Sequence, residues 1–355
     1  PEKSSRKYPV MVYIHGESFE WNSGNPYDGS VLAAYGKVIV VTLNFRLGIL
    51  GFLKTGTEEL STSNFGLVDQ IAALVWVKDN IAAFGGDPDA ITLFGHGTGA
   101  VCASLLTISP MVVQQKDTEE RLFHRAILMG GTALADWALA GNPSGVTYQV
   151  SRELNCQVQD DFAGCLRRKR LDEIMAASVR SRPYETRFGP IVDSLVVPND
   201  PKKLMTQYKD IFQRFELMYG VTELESIHLL GPVALTHGMP EKERDEELRK
   251  YVRSRCEMKP ELCLMHTLEE YTGSLNDHEY KSYTGHEPSK ALLARDALLD
   301  ILSDARSVAP IVQMAKYHAA LNLQSYFYVF THKTHSRDYI VSFIRRFIGL
   351  LTTNI

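Results

Sequence analysis

Between residues 91 and 108 the chain passes from Ile91-Thr92-Leu93-Phe94, β-branched and aromatic, through Gly95-His96-Gly97-Thr98-Gly99 into the small apolar stretch Ala100 to Ile108. The first stretch reads as a buried strand and the last as a buried helix. Glycine at every second position between them marks a sharp strand-to-helix elbow, because only glycine tolerates both positive φ and close backbone approach. A strand feeding directly into a buried helix is the unit of alternating α/β architecture. Glycine-rich loops also join strands to helices where nothing functional happens, so the flanking sequence decides between the two readings.

Composition fits that architecture. The chain has 355 residues, 45% hydrophobic and 23% charged, with a formal net charge of −4, enough to bury a large core and unlike a nucleic-acid or anionic-membrane binder. Strand-like runs alternate with helical ones from Val10 to Met129, which favours one doubly wound sheet over two domains. There is no internal repeat or low-complexity linker. No stretch reads as a bilayer span, and Pro1 to Lys7 lacks the apolar segment of a secretory leader. The chain reads as beginning within a domain.

Upstream, the predicted strand Pro9 to Ile14 runs into His15-Gly16-Glu17-Ser18. A second, Val38 to Asn44, leads into Asn44-Phe45-Arg46-Leu47-Gly48. Asn64-Phe65-Gly66-Leu67-Val68-Asp69-Gln70 opens an amphipathic helix through Asn80, whose apolar surface is expected from Leu67, Ile71, Leu74, Val75 and Val77. Phe84-Gly85-Gly86-Asp87-Pro88 then turns the chain into the elbow strand. Downstream stand Arg125-Ala126-Ile127-Leu128-Met129 and Phe188-Gly189-Pro190-Ile191-Val192-Asp193.

This ordered set resembles the type-B carboxylesterase and cholinesterase family, closely over residues 8 to about 222 and loosely from Leu292 to Phe330. Within the family, Gly24-Asn25-Pro26-Tyr27-Asp28-Gly29-Ser30-Val31-Leu32-Ala33-Ala34-Tyr35-Gly36 followed by Val38 to Asn44 is similar to the neuroligins, the catalytically silent adhesion branch, and most of all to those of invertebrates. The resemblance implies an α/β-hydrolase fold, class α/β, with a mainly parallel central sheet flanked by helices. It also implies that the first strands and the C-terminal part are missing. Residues 1–339 are expected to form the partial domain and 340–355 an atypical tail, since Ile340 to Leu351 matches nothing in the family.

The family's elbow reads G-x-S-x-G, and here Gly97 holds the nucleophile position. Acyl transfer needs a nucleophile, a base, an acid that orients the base, and oxyanion donors. Glu225 falls where the family places the acid. The catalytic histidine segment is absent: His332 and His335 come too early and read as loop residues. In the oxyanion loop Gly16 and Glu17 still offer backbone N–H groups, but the Glu17 side chain sets negative charge where negative charge must develop. Thr98 and His96 are chemically able to serve as nucleophiles, yet Thr98 lies one residue past the apex and points away from it, and the motif assigns His96 no base. In subtilisin, loss of the serine costs about 2 × 10⁶ in turnover.

The resemblance further implies a Cys156–Cys165 disulfide worth about 2–3 kcal/mol. Cys256 and Cys263 are close enough in sequence to pair but have no family counterpart, and Cys102 reads as a buried apolar residue. No intact Asn-x-Ser/Thr sequon occurs. The expected function is that of a catalytically inactive, cholinesterase-like ectodomain on the extracellular side of the synaptic plasma membrane. It would bind a neurexin-like receptor, with calcium as an interface ion, and form a homodimer in the full-length protein; no nucleic-acid partner, cofactor or resident metal is expected. The mixed-charge run Glu243 to Lys250 reads as a solvated helix face. Two alternatives stay open: an esterase with a non-standard nucleophile, and a fragment whose unpaired sheet edge promotes association.

Overall fold

The computed structural model describes residues 7–56, 63–113, 120–256, 258–273 and 289–332. His335 and the 340–355 tail lie outside these residues. Six strands form one sheet: β1 (Tyr8–Ile14), β2 (Ile39–Thr42), β3 (Gly86–His96), β4 (Arg125–Met129), β5 (Glu216–Thr222) and β6 (Ser325–Phe330). Their order is β2-β1-β3-β4-β5-β6 and every described pairing is parallel. From β1, second from one edge, the chain thus winds to that edge through β2 and returns across β1 to wind the other way. This reversal sets the ends of β1 and β3 side by side, the position at which doubly wound sheets form their sites.

Alternation along each strand builds two layers. Val10, Val12 and Ile14 of β1 enter the larger core together with Ile91, Leu93, Ala126, Leu128, Leu217 and Tyr219, each large aliphatic contributing roughly 1.5–3 kcal/mol on burial. Met11, Tyr13 and Phe94 point to the opposite face, where Tyr27, Leu32 and Val40 pack on them. Helix α1 (Phe65–Asn80) lies on the large core through Leu67, Ile71, Leu74 and Val77. Val75, assigned to that apolar surface from its spacing, instead stays 38% exposed. Helix α2 (Thr98–Leu106) is buried along its whole length, which its small side chains permit.

Further on, α3 (Pro143–Glu153) starts at Asn142, whose side chain accepts the Gly145 N–H at 2.9 Å with proline at the first helical position. Helices α4 (Glu241–Arg255), α5 (Pro260–Gly273) and α6 (Lys290–Ser303) enclose a second core of Leu248, Tyr251, Val252, Leu264, Leu298 and Leu302. Glu243, Glu246 and Lys250 project from α4 into solvent, as the charge run implies. Helix α6 continues through a π turn, Asp304–Val308, into α7 (Ala309–Ala319).

The π turn carries Arg306 inward. Its guanidinium lies over the rings of Tyr184 and Tyr251 and 3.4 Å from Asp136, which Arg255 also engages at 3.0 Å. These contacts tie the helical layer to the loop that follows β4. The structure closes Cys156–Cys165 and also pairs Cys256 with Cys263, leaving Cys102 free and buried. No described helix is long and apolar enough to cross a membrane.

Candidate functional site

Gly97 is the apex of the β3–α2 elbow, with φ 56° and ψ −120°, a conformation that costs any other residue about 1–3 kcal/mol. Its N–H donates to Met129 O at 2.9 Å and its carbonyl accepts from Val101 N at 3.1 Å, so both neighbours hold the turn. A Cβ placed on Gly97 would meet no heavy atom within 4 Å. The surrounding glycines are the reverse case. A Cβ on Gly99 would stand 2.1 Å from Ile14 O, one on Gly16 2.3 Å from His96 O, and one on Gly131 2.2 Å from Gly97 O. The oxyanion-type loop, the elbow and the turn after β4 are therefore in direct backbone contact, while the apex opens outward.

The loop after β1 departs from ordinary backbone. Glu17, Ser18 and Phe19 take φ of 98°, 50° and 60°, the left-handed region where glycine is at ease. Glu17 occupies a conformation suited to the glycine that the family motif carries there. Its carboxylate is half-buried, and burial raises its pKa. Among the described residues it has neither a hydrogen bond nor an ion pair.

Glu225 lies across the site from this loop. Its Oε1 accepts the Thr222 N–H at 2.5 Å and the Thr222 hydroxyl at 3.1 Å, and its Oε2 faces Gly130, where a Cβ would come within 2.6 Å. Burial raises the Glu225 pKa and outweighs the two Thr222 bonds that lower it. The backbone N–H groups of Glu225 and Ser226 donate to Ser303 Oγ at 3.1 and 3.0 Å, fixing the acid loop to the end of α6. Tyr328 of β6 lays its ring across Gly220, leaving no room for a side chain there. Burial first and the Glu225 charge second raise its phenol pKa.

Two histidines complete the surroundings. His96, half-buried next to the apex, has its pKa lowered to about 4, by burial first and then by His228. His228 reaches solvent on the turn after Glu225, and its pKa is also lowered, by burial, then by the Arg306 charge, against a hydrogen bond to the Glu225 carbonyl. Thr98 is buried. His332 is exposed, with Phe330 as its ring neighbour.

The structure thus brings Gly16, Glu17, Gly97 and Glu225 around one elbow and leaves His332 at the end of β6. Sequence reading missed Gly130 and Gly131, which seat the acid and the apex, although a Gly-Gly pair directly after a strand is a legible signal. It also missed Ser303, for which a lone serine late in an apolar helix gives no signal. Chemically, two half-buried carboxylates, Glu17 and Glu225, stand near an open apex that carries only hydrogen.

Comparison with known proteins accords with this geometry. The carboxylesterase family profile matches residues 1–348. The chain is 38% identical to neuroligin-3 of Mus musculus over 338 residues, 94% of this chain and 38% of that protein. It is 38% identical to neuroligin-2 of Mus musculus over 334 residues, 93% of this chain and 38% of the relative. Against neuroligin-1 of Caenorhabditis elegans it is 32% identical over 345 residues, 92% of this chain and 42% of the relative. The chain therefore spans about two-fifths of the length of the curated relatives it matches. With its parallel sheet, its glycine-lined elbow and a family match along nearly its whole length, the chain belongs to the carboxylesterase family.

Proposed function

We propose that this chain is part of a catalytically silent, cholinesterase-like adhesion protein that acts from the extracellular side of a cell membrane. The observation that carries the reading is the apex itself: Gly97 keeps the strained elbow backbone and an open approach while supplying no oxygen. Thr98, one residue past the apex, is buried, and neither it nor His96 stands at the apex position that the family motif gives to the nucleophile. Glu17 adds a carboxylate beside the donors that would stabilise an oxyanion, which opposes turnover. The neuroligin relatives support adhesion as the function, and the disulfides support an oxidising, extracellular address.

A neurexin-type receptor is the proposed partner, with calcium as the proposed interface ion and a homodimer as the proposed assembly. The test of adhesion is binding of a chain extended at both ends to an immobilised neurexin laminin-like domain. Saturable binding that chelation abolishes is the expected outcome; no binding in calcium would contradict it. The test of silence is a chromogenic ester assay, and turnover removed by Thr98→Ala or His96→Ala would contradict it.

A further inference from the structure

Four consecutive basic residues, Arg167-Arg168-Lys169-Arg170, stand on the surface, and the sequence contains no other run of four. They join two short helices, Phe162–Arg167 and Leu171–Met175. Arg167, Arg168 and Arg170 are exposed, and Leu171 and Met175 remain 62% and 61% exposed. The helix Leu171–Met175 buries none of its residues fully, and its one apolar contact with the large core is the part-buried Ile174. Arg170 already has an extended backbone, φ −73° and ψ 150°, the shape in which a peptide adds to an enzyme's sheet edge.

The contacts around Arg170 are weak ones. Its guanidinium pairs with Asp172 at 2.9 and 2.8 Å, and its N–H donates to Glu173 Oε2 at 2.9 Å. Both partners are exposed, and exposed ion pairs hold local structure poorly. Arg167 and Lys169 have no ion pair among the described residues. Between the core contacts of Leu166 and Ile174, the exposed junction can open locally without unseating the core, and exposed junctions of this kind are where proteolytic nicking concentrates.

We propose that the Arg170–Leu171 peptide bond is a cleavage site for a basic-residue-specific serine endoprotease of the secretory pathway. The two disulfides belong to the oxidising compartments in which such an enzyme would meet the chain. Cleavage adds one water: the C–N bond breaks, Arg170 keeps a carboxylate and Leu171 gains an amino group. The cut falls between β4 and β5. Cys156–Cys165 lies wholly before it and Cys256–Cys263 wholly after it, so no disulfide crosses it. The pieces stay joined by the β4–β5 pairing and by the reciprocal bonds of Asn64 with Ile191, at 2.8 and 2.9 Å. The product is a nicked domain that holds together.

The test is incubation of the oxidised full chain with a purified subtilisin-type convertase that cuts after paired basic residues. Two fragments on a non-reducing denaturing gel, a new N-terminus reading Leu171-Asp172-Glu173, and an unchanged elution volume under native conditions are expected. Arg170→Ala should abolish cutting, Arg167→Ala should slow it, and Asp172→Ala should speed it. A native chain left intact under conditions that consume the isolated peptide 166–174 would overturn the proposal. Cutting that persists in Arg170→Ala would overturn it as well.

Discussion

The carboxylate of Glu225 rests against the bare α-carbon of Gly130, where a Cβ would come within 2.6 Å of Oε2. Burial raises the Glu225 pKa from its ordinary 4.5, so the ionised form is disfavoured in the folded chain relative to the unfolded one. The penalty is absent below pH 4.5, grows as pH rises through the folded value, and is constant above it. Glu225→Gln, which keeps an oxygen for Thr222, should therefore raise the thermal midpoint at pH 7 and lose that advantage toward pH 4. Paired melts across this range check it. Gly130→Ala, at φ 66°, should destabilise at every pH.

The elbow glycines should separate into two classes. Gly97→Ala meets only backbone strain and should cost about 1–3 kcal/mol, because the site of its Cβ is open. Gly16→Ala and Gly99→Ala would force carbon to 2.3 and 2.1 Å from carbonyl oxygens. Both should fail to yield cooperatively folded protein. Urea unfolding of the three variants gives the comparison, and equal losses would contradict the geometry.

Glu17 is strained by its backbone and by its burial together, at φ 98° with a raised pKa. Glu17→Gly should therefore stabilise the chain by about 1 kcal/mol, relief of a left-handed residue outweighing the entropy that glycine loses on folding. The gain should shrink below pH 4.5, where the charge contributes nothing in either state. Denaturant midpoints at pH 7 and pH 4 measure both parts.

Asp136 depends on Arg306 and Arg255. Burial raises its pKa although both guanidinium groups lower it. Replacing Arg306 with Met removes a buried partner and should cost about 3–5 kcal/mol, loosening the helical layer around Tyr184 and Tyr251 before the sheet. Hydrogen exchange should show protection falling first in α4 and α6. Uniform loss across the chain would point instead to a purely global effect.

Much of this was legible from residue pattern. The β-branched runs marked the strands at Pro9, Val38 and Ile91, with ends shifted by a few residues, because a run's apolarity marks its core and not where its hydrogen bonds stop. The elbow was legible because alternating glycines are rare outside sharp turns. Val75 was misplaced because a helix with apolar residues on more than one face leaves its orientation to tertiary contacts. The half-buried setting of Glu225 was not legible: it depends on Gly130 and Ser303, far from it in the sequence and brought near only by the β4–β5 pairing and the end of α6. The Cys256–Cys263 pairing, left open by spacing, follows from how α4 and α5 meet.

Whether the elbow attacks electrophiles at all is tested most directly by intact-mass spectrometry of the folded chain after exposure to a fluorophosphonate. The expected result is an unmodified mass under conditions that label a serine esterase completely. A stoichiometric adduct, mapped to any residue around Gly97, would contradict the reading of this site as catalytically silent.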